Sequence, residues 1–484
     1  MKYLKEILLG LEYELLSGSL DCSVSSLTVD SRQVVQGSVF VAMKGEHVDG
    51  HVYVQNAVDA GAKVIVAEDI VCVSGEASII KVKRSNDAVA ILAKNFYDNP
   101  SSKLKLVGIA GTNGKTSIAT WLYDLFNILG LKSGLISTIS VKSCMGKVVD
   151  SKHTTPFPID LNRIIAEMVG DGCEYCFMEV SSHACAQGRI AGLHFKGAVF
   201  TNITHDHLDY HKTFAEYLKA KKSFFDSLST DAFALTNVDD KNGMVMLQNC
   251  EANKYSYSLL KMADFKASIV EKYADSTLIK IMNEELFVRV IGDYNIYNIL
   301  AVFAVAKLLG GEASEILQAL TLLKPVAGRM EFVSASDGRI GVVDYAHTPD
   351  ALKNVLETLQ RQKGESHVKI ITVVGCGGDR DKTKRPLMAK VAQQYSDKVI
   401  LTSDNPRTED PSRILEDMFA GIDVSQSDKV FRIENRADAI KVAASLANAK
   451  DIILVAGKGH ESYQEVHGKR THFDDKEQLL NVFK

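Results

Sequence analysis

An apolar run, Leu106-Val107-Gly108-Ile109-Ala110, empties into Gly111-Thr112-Asn113-Gly114-Lys115-Thr116, and this junction restricts the fold more than any other part of the chain. A buried strand has to stop there, turn through glycines and restart as a helix, which the pattern predicts from Ser117 to about Leu129. Glycines let successive backbone N–H groups face one hollow, and the helix adds its positive end, so the junction suits phosphate oxygens. Lys115 is placed to reach the terminal phosphates of a nucleoside triphosphate, and Thr116 to offer its hydroxyl to Mg²⁺. The general phosphate-loop pattern asks for a glycine where Ile109 stands, so this is a shortened variant. The plain alternative is a glycine-rich turn with a chance Lys-Thr, against which stand the strand before it and the helical pattern after it.

One such unit does not use up 484 residues, and the length suggests about three domains. Asn99-Pro100-Ser101-Ser102 is a turn-rich joint just ahead of the phosphate-loop strand, and a second joint falls at Lys324-Pro325-Val326-Ala327-Gly328-Arg329. The expected domains are therefore 1–100, 101–328 and 329–484. Short alternating stretches such as Ser38 to Met43 and Lys63 to Ala67 make the first a small α/β unit. The second alternates strand and helix patterns as a mostly parallel sheet covered on both faces does. In the third, Ile340 to Val343, Lys369 to Val374, Lys398 to Leu401 and Ile452 to Ala456 each run into polar loops, the pattern of a doubly wound, Rossmann-like unit. The fold class is α/β, with ligands expected beyond the carboxyl ends of the strands.

A formal net charge of -4 gives no bulk attraction to nucleic acid. No segment approaches the roughly 18 uninterrupted apolar residues of a membrane span, and Glu6, Glu12 and Glu14 make the first residues a poor signal peptide. Eight cysteines without an export signal fit reduced thiols in cytoplasm. Cys173 and Cys176 look like half of a zinc site, but there is no second pair.

Further candidate chemistry lies in two short segments. Phe177-Met178-Glu179-Val180-Ser181-Ser182-His183 places an acid at the end of a buried strand, and His205 to His211 packs three His and two Asp into seven positions. One carboxylate, the Thr116 hydroxyl and phosphate oxygens would make a reasonable Mg²⁺ shell, in which histidine is an unusual ligand. The histidine cluster equally fits a helix N-terminus capped by Asp206.

The motif order is Asp30-Ser31-Arg32, Gly111 to Thr116, His153-Thr154-Thr155-Pro156, Glu179 to His183, Asp206 to His211, Gly292-Asp293-Tyr294-Asn295, Gly328-Arg329-Met330-Glu331, Asp344 to Pro349, Asp404-Asn405-Pro406-Arg407 and Gly457-Lys458-Gly459-His460-Glu461. Over essentially the whole chain this order resembles the Mur ligases of peptidoglycan synthesis, which share the shortened phosphate loop. The resemblance implies that ATP phosphorylates a peptide carboxylate and that an amine then attacks the acyl phosphate. Catalysis would fall to Lys115, Glu179, His207 and Lys221, the last as a carboxylated lysine, with Mg²⁺ held by Thr116, Glu179, His207 and Lys221. ATP would meet Gly111, Thr112, Asn113, Gly114, Lys115, Thr116, Asn295, Arg329 and Asp344. UDP-N-acetylmuramoyl-L-Ala-D-Glu would meet Ser31, the Glu46-His47 loop, Thr154, Thr155, Ser181, Gln187 and Arg189. For the amine, the family pattern points to meso-diaminopimelate, held by Arg385, Asp404, Asn405, Arg407, Gly457 and Glu461. Arg407 is suited to grip its extra carboxylate and Glu461 to hold the distal ammonium. The expected protein is a cytoplasmic monomer. The alternatives are a lysine-adding or folylpolyglutamate ligase, or a non-catalytic nucleotide-sugar sensor, although a sensor has no need of Lys115, Thr116, Glu179 and His207 together.

Overall fold

The computed structural model describes the chain except residues 46–47, 70–72, 152, 274–275 and 364–366. The Glu46-His47 loop expected at the uridine end therefore lies outside the described residues. Three sheets follow one another along the chain. The first joins β1 (Tyr13–Ser17), β2 (Ser26–Thr28), β3 (Ser38–Val41), β4 (Ala62–Ala67) and β5 (Ser78–Val82) in the order β1-β5-β4-β3-β2, and α1 (Ser85–Phe96) packs on it.

The second sheet has eleven strands: β6 (Lys105–Ala110), β7 (Ser133–Ile136), β8 (Ser140–Lys142), β9 (Val148–Asp150), β10 (Tyr175–Val180), β11 (Gly197–Phe200), β12 (Phe233–Asn237), β13 (Asn253–Ser258), β14 (Phe265–Lys272), β15 (Thr277–Ile281) and β16 (Glu284–Val288). Their order is β9-β8-β7-β10-β6-β11-β12-β13-β14-β15-β16, parallel from β7 through to β14 and antiparallel at both edges. The phosphate-loop strand β6 sits inside this sheet between β10 and β11, and Glu179 on β10 pairs in register with Ile109. That register delivers the Glu179 carboxylate to the mouth of the glycine loop. Helix α2 (Lys115–Ile128) starts two residues earlier than the pattern predicts, because Gly114 at φ 88° makes the turn and Lys115 is already helical. On the same face lies α3 (Asp293–Leu308), whose residues Ile296 to Ala306 are buried except Tyr297, as expected for a helix apolar on nearly all sides.

The third sheet runs β17-β18-β22-β19-β20-β21, from β17 (Glu331–Ser334), β18 (Ile340–Asp344), β19 (Ile370–Cys376), β20 (Lys398–Ser403), β21 (Val430–Arg432) and β22 (Ile452–Ala456), with only β17 antiparallel. The strand order reverses around β22 and β19, so the loops after β18, β19, β20 and β22 open on one edge, the crevice where ligands of such sheets bind. A hairpin, β23 (Tyr463–Val466) with β24 (Lys469–His472), stands over that edge. The described cysteines are free; Cys173 and Cys176 belong to the hydrophobic core on the other face of the middle sheet, which answers the half zinc site by packing. Among the described residues no helix is long and apolar enough to cross a membrane.

Candidate active site

A cleft of about 420 Å³ separates the middle sheet from the third. From the middle unit come the glycine loop, Thr138, Thr154, Glu179, Ser181, His207, Lys221 and Asn295; from the third come Arg329, Asp344 and His347. The loop is preformed. Thr112 Oγ1 accepts from Thr204 N (3.0 Å), and Asn113 N donates to Asn202 Oδ1 (3.0 Å). Lys115 folds back so that Nζ donates to the carbonyls of Gly111 (3.0 Å) and Thr112 (2.7 Å), and burial pulls its pKa down. Gly114 is required as glycine: with φ 88°, a Cβ there would lie 2.5 Å from Asn298 Oδ1.

Glu179 is 1 % exposed, and its carboxylate accepts from Thr138 N (2.7 Å) and Thr138 Oγ1 (3.1 Å), which fixes its orientation toward the loop. Thr138 carried no signal in the sequence, since nothing about a threonine after β7 marks it as the partner of an acid 41 residues later. Lys221 Nζ is buried and donates to Gly111 O (2.8 Å); burial and the neighbouring Lys115 charge push its pKa down to about 7.

The His205 to His211 segment does two different things. His207, at φ 53°, itself starts the short helix Leu208–His211, while Asp206 accepts from His207 N (2.9 Å), so Asp206 is not the helix cap. Burial pushes His207 down to about 3, leaving a neutral ring that packs on His183 at 4.8 Å between centroids. His211 donates to or accepts from Ser182 Oγ (2.9 Å), and His205 turns toward Asp381 (3.6 Å) on the third unit. Among the described residues, no three His, Cys, Asp or Glu come together to hold an ion by themselves. The donor set does fit Mg²⁺: the Thr116 hydroxyl and the Glu179 carboxylate are hard oxygens on the same cleft as Lys115, with room for phosphate oxygens.

Beside Glu179, Thr155 Oγ1 donates to Glu179 O (2.8 Å) and accepts from Ser181 N (3.0 Å), and Ser181 caps the next helix through Ala184 N (3.2 Å). Arg189 donates Nε and Nη2 to Gln187 Oε1 (2.8 and 2.6 Å) and Nη1 to Thr155 O (2.9 Å), and stacks 4.0 Å over Phe157. These contacts are all to neutral groups, so a half-buried positive charge faces the Thr154 to Ser181 edge of the cleft. Ser31 lies in a 3-10 turn of the first unit, apart from the cleft-lining residues, next to an Asp30–Arg32 pair (2.9 Å). On the nucleotide side Asn295 Nδ2 donates to Ile291 O (2.9 Å). Asp344 accepts from Met330 N and Ala346 N (both 2.7 Å), so it organises the loop as well as lining the cleft. Arg329 donates to Thr116 Oγ1 (3.1 Å) across the cleft and stacks on Tyr345.

The loops after β20 and β22 bring Asp404, Asn405, Gly457 and Glu461 together. Asn405 Nδ2 donates to Glu461 Oε2 (2.7 Å), and Gly457, at φ 117°, has no room for a Cβ, which would sit 2.7 Å from Asp404 Oδ2. Arg407 donates Nη1 to Gly378 O (2.7 Å) and is otherwise available.

Arg385 does not join this set, which corrects the expectation. It is 1 % exposed, with Nη1 and Nη2 committed to Glu409 (3.0 and 2.8 Å) and Nη1 to Asp417 (2.8 Å), so it is the buried counter-ion of two acids. The arginine whose stem does come near Arg407 is Arg380: a Cβ on Gly377 would meet Arg407 Nη1 at 2.9 Å and Arg380 Cγ at 3.8 Å. Arg380 lies in the same Gly377 to Asp381 segment, and its exposure is what separates it from Arg385.

Residues 23–97 match the Mur ligase family catalytic domain, 109–306 the Mur ligase middle domain and 328–459 the Mur ligase glutamate ligase domain. The chain is 50% identical over 481 residues to the UDP-N-acetylmuramoyl-L-alanyl-D-glutamate--2,6-diaminopimelate ligase of Bacteroides fragilis, covering 99% of both chains. It is 41% identical to the ligase of the same name from Clostridioides difficile, over 98% of both. A solved structure of a ligase of that name matches with TM-score 0.67 and 30% identity, over 100% of this chain and 98% of the other. The MurF ligase of Thermotoga maritima in complex with ADP shares the fold at 21% identity, with TM-score 0.63 over 95% of this chain and 96% of the other. With domain matches in every unit and full-length relatives of this identity, the chain belongs to the Mur ligase family.

Proposed function

We propose that the protein is an ATP-dependent ligase that joins meso-diaminopimelate to the D-glutamyl carboxylate of UDP-N-acetylmuramoyl-L-Ala-D-Glu, as a monomer in the cytoplasm, in peptidoglycan precursor synthesis. Residues 1–100, 101–328 and 329–484 serve as its uridine, ATP and amino-acid domains. The observation that carries this reading is the single cleft that faces Lys115, Thr116 and Glu179 with Arg329 and Asp344, and has Arg189 at one edge. Arg189, with Thr154, Thr155, Ser181 and Gln187, holds the substrate carboxylate; its oxygen attacks the γ-phosphorus and ADP departs. Lys115 and the loop amides spread the charge that builds on the phosphoryl oxygens. The amine then attacks the acyl carbon and phosphate leaves, which gives the amide.

Mg²⁺ would be held by Thr116, Glu179, His207 and a Lys221 carbamate, and supplies charge neutralisation at the phosphates. The carbamate reading is supported by the burial of Lys221, which favours the uncharged amine, the form that adds CO₂. Arg407 reads the distal carboxylate that lysine lacks, so a lysine-adding enzyme would have no use for it. Phosphate release from ATP with the UDP-muramoyl dipeptide, given meso-diaminopimelate or L-lysine in parallel, tests the assignment. Strong preference for diaminopimelate is expected; release with neither amine would sink the ligase reading, and equal use would sink the role of Arg407.

A further inference from the structure

Lys458 is buried beside Glu461 in the amino-acid site and has no role in the reading above. It is 0 % exposed, and Nζ donates to Glu461 Oε2 and Asn405 Oδ1, both at 3.2 Å. The Asn405 oxygen is thereby filled, since Oδ1 also accepts from Glu465 N (2.9 Å), and Nδ2 donates to Glu461 Oε2 (2.7 Å). Burial, and then the charge of Asp404 in the same corner, pushes the Glu461 carboxyl above its ordinary range. The other buried cation nearby, Arg436, is already neutralised by Asp475 through two bonds of 2.7 Å. Two carboxylates against one ammonium leave the corner with one uncompensated negative charge. Arg407, whose Nη1 lies against Gly377 and Gly378, makes the adjoining edge positive.

We propose that Lys458 is a positioning residue of the acceptor site: it fixes Glu461 and Asn405 and sets the corner to accept one distal ammonium lying beside a carboxylate. A lone neutral side chain leaves the corner charged. Two ammonium groups overfill it. This inference rests on the acceptor assignment proposed above. Its physical basis is that a charge buried without its partner is costly, so the corner binds most tightly the group that completes it.

The full-length Lys458→Met protein tests it, with phosphate release measured against each substrate separately. The expected result is an acceptor KM raised about 30-fold, with kcat and the KM values for ATP and the UDP-muramoyl dipeptide within about threefold of the parent. In a Glu461→Gln background the same change is expected to cost less than about threefold, because Lys458 acts through that carboxylate. Lys458→Gln, which keeps a donor without the charge, is expected to fall between the parent and Met, and serves if Met does not fold. An unchanged acceptor KM in either Lys458 variant, or equal losses in kcat and all KM values, would overturn the proposal. Failure of the unaltered protein to use any diamino acid would instead remove the assignment on which it rests.

Discussion

Arg407 holds a left-handed backbone, φ 52°, that costs an L-residue about 1 kcal/mol or more. It is kept there by β23: Arg407 N donates to Glu465 O (3.1 Å), and His467 N donates back to Arg407 O (2.6 Å). The strain aims the guanidinium at the loop of Gly377 and Gly378. Arg407→Ala has the same backbone to maintain, so its effect isolates the side chain: kcat/KM for meso-diaminopimelate is expected to fall about 100-fold or more while KM for ATP stays put. Arg385 makes the opposite case, a cation spent on the fold. Its hydrogen bonds hold the Glu409 carboxyl down at about 2. A depressed carboxyl stabilises the protein above its unfolded pKa, and this contribution drains away as pH falls from about 4.5 towards 2. Glu409→Gln should therefore cost roughly 1–3 kcal/mol at pH 7. In melts taken at falling pH, the gap from the parent should close below about pH 4.5; a gap that stays constant would mean the ion pair is not its source.

Among the elements, the phosphate loop shows most sharply how conformation and chemistry coincide. Gly114→Ala has to place a Cβ 2.5 Å from Asn298 Oδ1 at φ 88°, whereas Gly130, at φ 75°, has nothing within 4 Å of its missing Cβ. Both substitutions pay the left-handed penalty of about 1 kcal/mol. Only Gly114→Ala is expected to raise KM for ATP, by about tenfold or more, and equal KM values in the two variants would count against the loop as the nucleotide cradle. The same contrast explains what the sequence makes legible. β6, β10, β18, β19, β20 and β22 are buried on both faces and read as continuous apolar runs, and the glycine loop announces itself by composition. The antiparallel edge is harder to read: in β16 only Leu286 and Val288 are buried, and the intervening Glu284, Glu285 and Phe287 face solvent. The site is legible to the same degree. Lys115 and Thr116 open the helix after the glycine loop and Glu179 sits near a strand end, positions fixed by local pattern, but which of Arg380 and Arg385 is bound by acids depends on Glu409 and Asp417, residues 24 and 32 positions beyond Arg385. No local pattern carries that information.

At the scale of the whole molecule, the cleft is a joint between two bodies, and few polar contacts cross it. Among the described residues, Arg329 Nη2 donates to Thr116 Oγ1 (3.1 Å), Asn113 Nδ2 approaches Asp350 Oδ2 (3.4 Å), His205 lies 3.6 Å from Asp381, and Arg361 Nη1 donates to Asp293 Oδ2 (3.3 Å). Ile291 and Tyr294 of the middle unit also pack into the apolar core of the third, so the units meet through that patch and these polar pairs. A nucleotide seated on the loop would touch both sides and close the joint, so its binding energy is shared between the loop and Arg329. Arg329 suits the task, because its Nε is buried without a hydrogen-bond partner and its guanidinium lies 4.5 Å over the Tyr345 ring, so it is oriented before any ligand arrives. In the parent protein, nucleotide at 100 times Kd should stabilise the fold by about 2.7 kcal/mol. If Arg329 carries the closing contact, Arg329→Ala should weaken ATP about tenfold and remove about 1.4 kcal/mol of that stabilisation at the same nucleotide concentration. The unliganded melting temperature should move little, since only one hydrogen bond and one stacking contact of a half-buried side chain are lost. Thermal melts with and without nucleotide separate the two effects: a full ATP-dependent shift in the variant would mean that closure does not pass through Arg329, and a collapse of the unliganded protein would mean that the residue holds the fold together instead of the ligand.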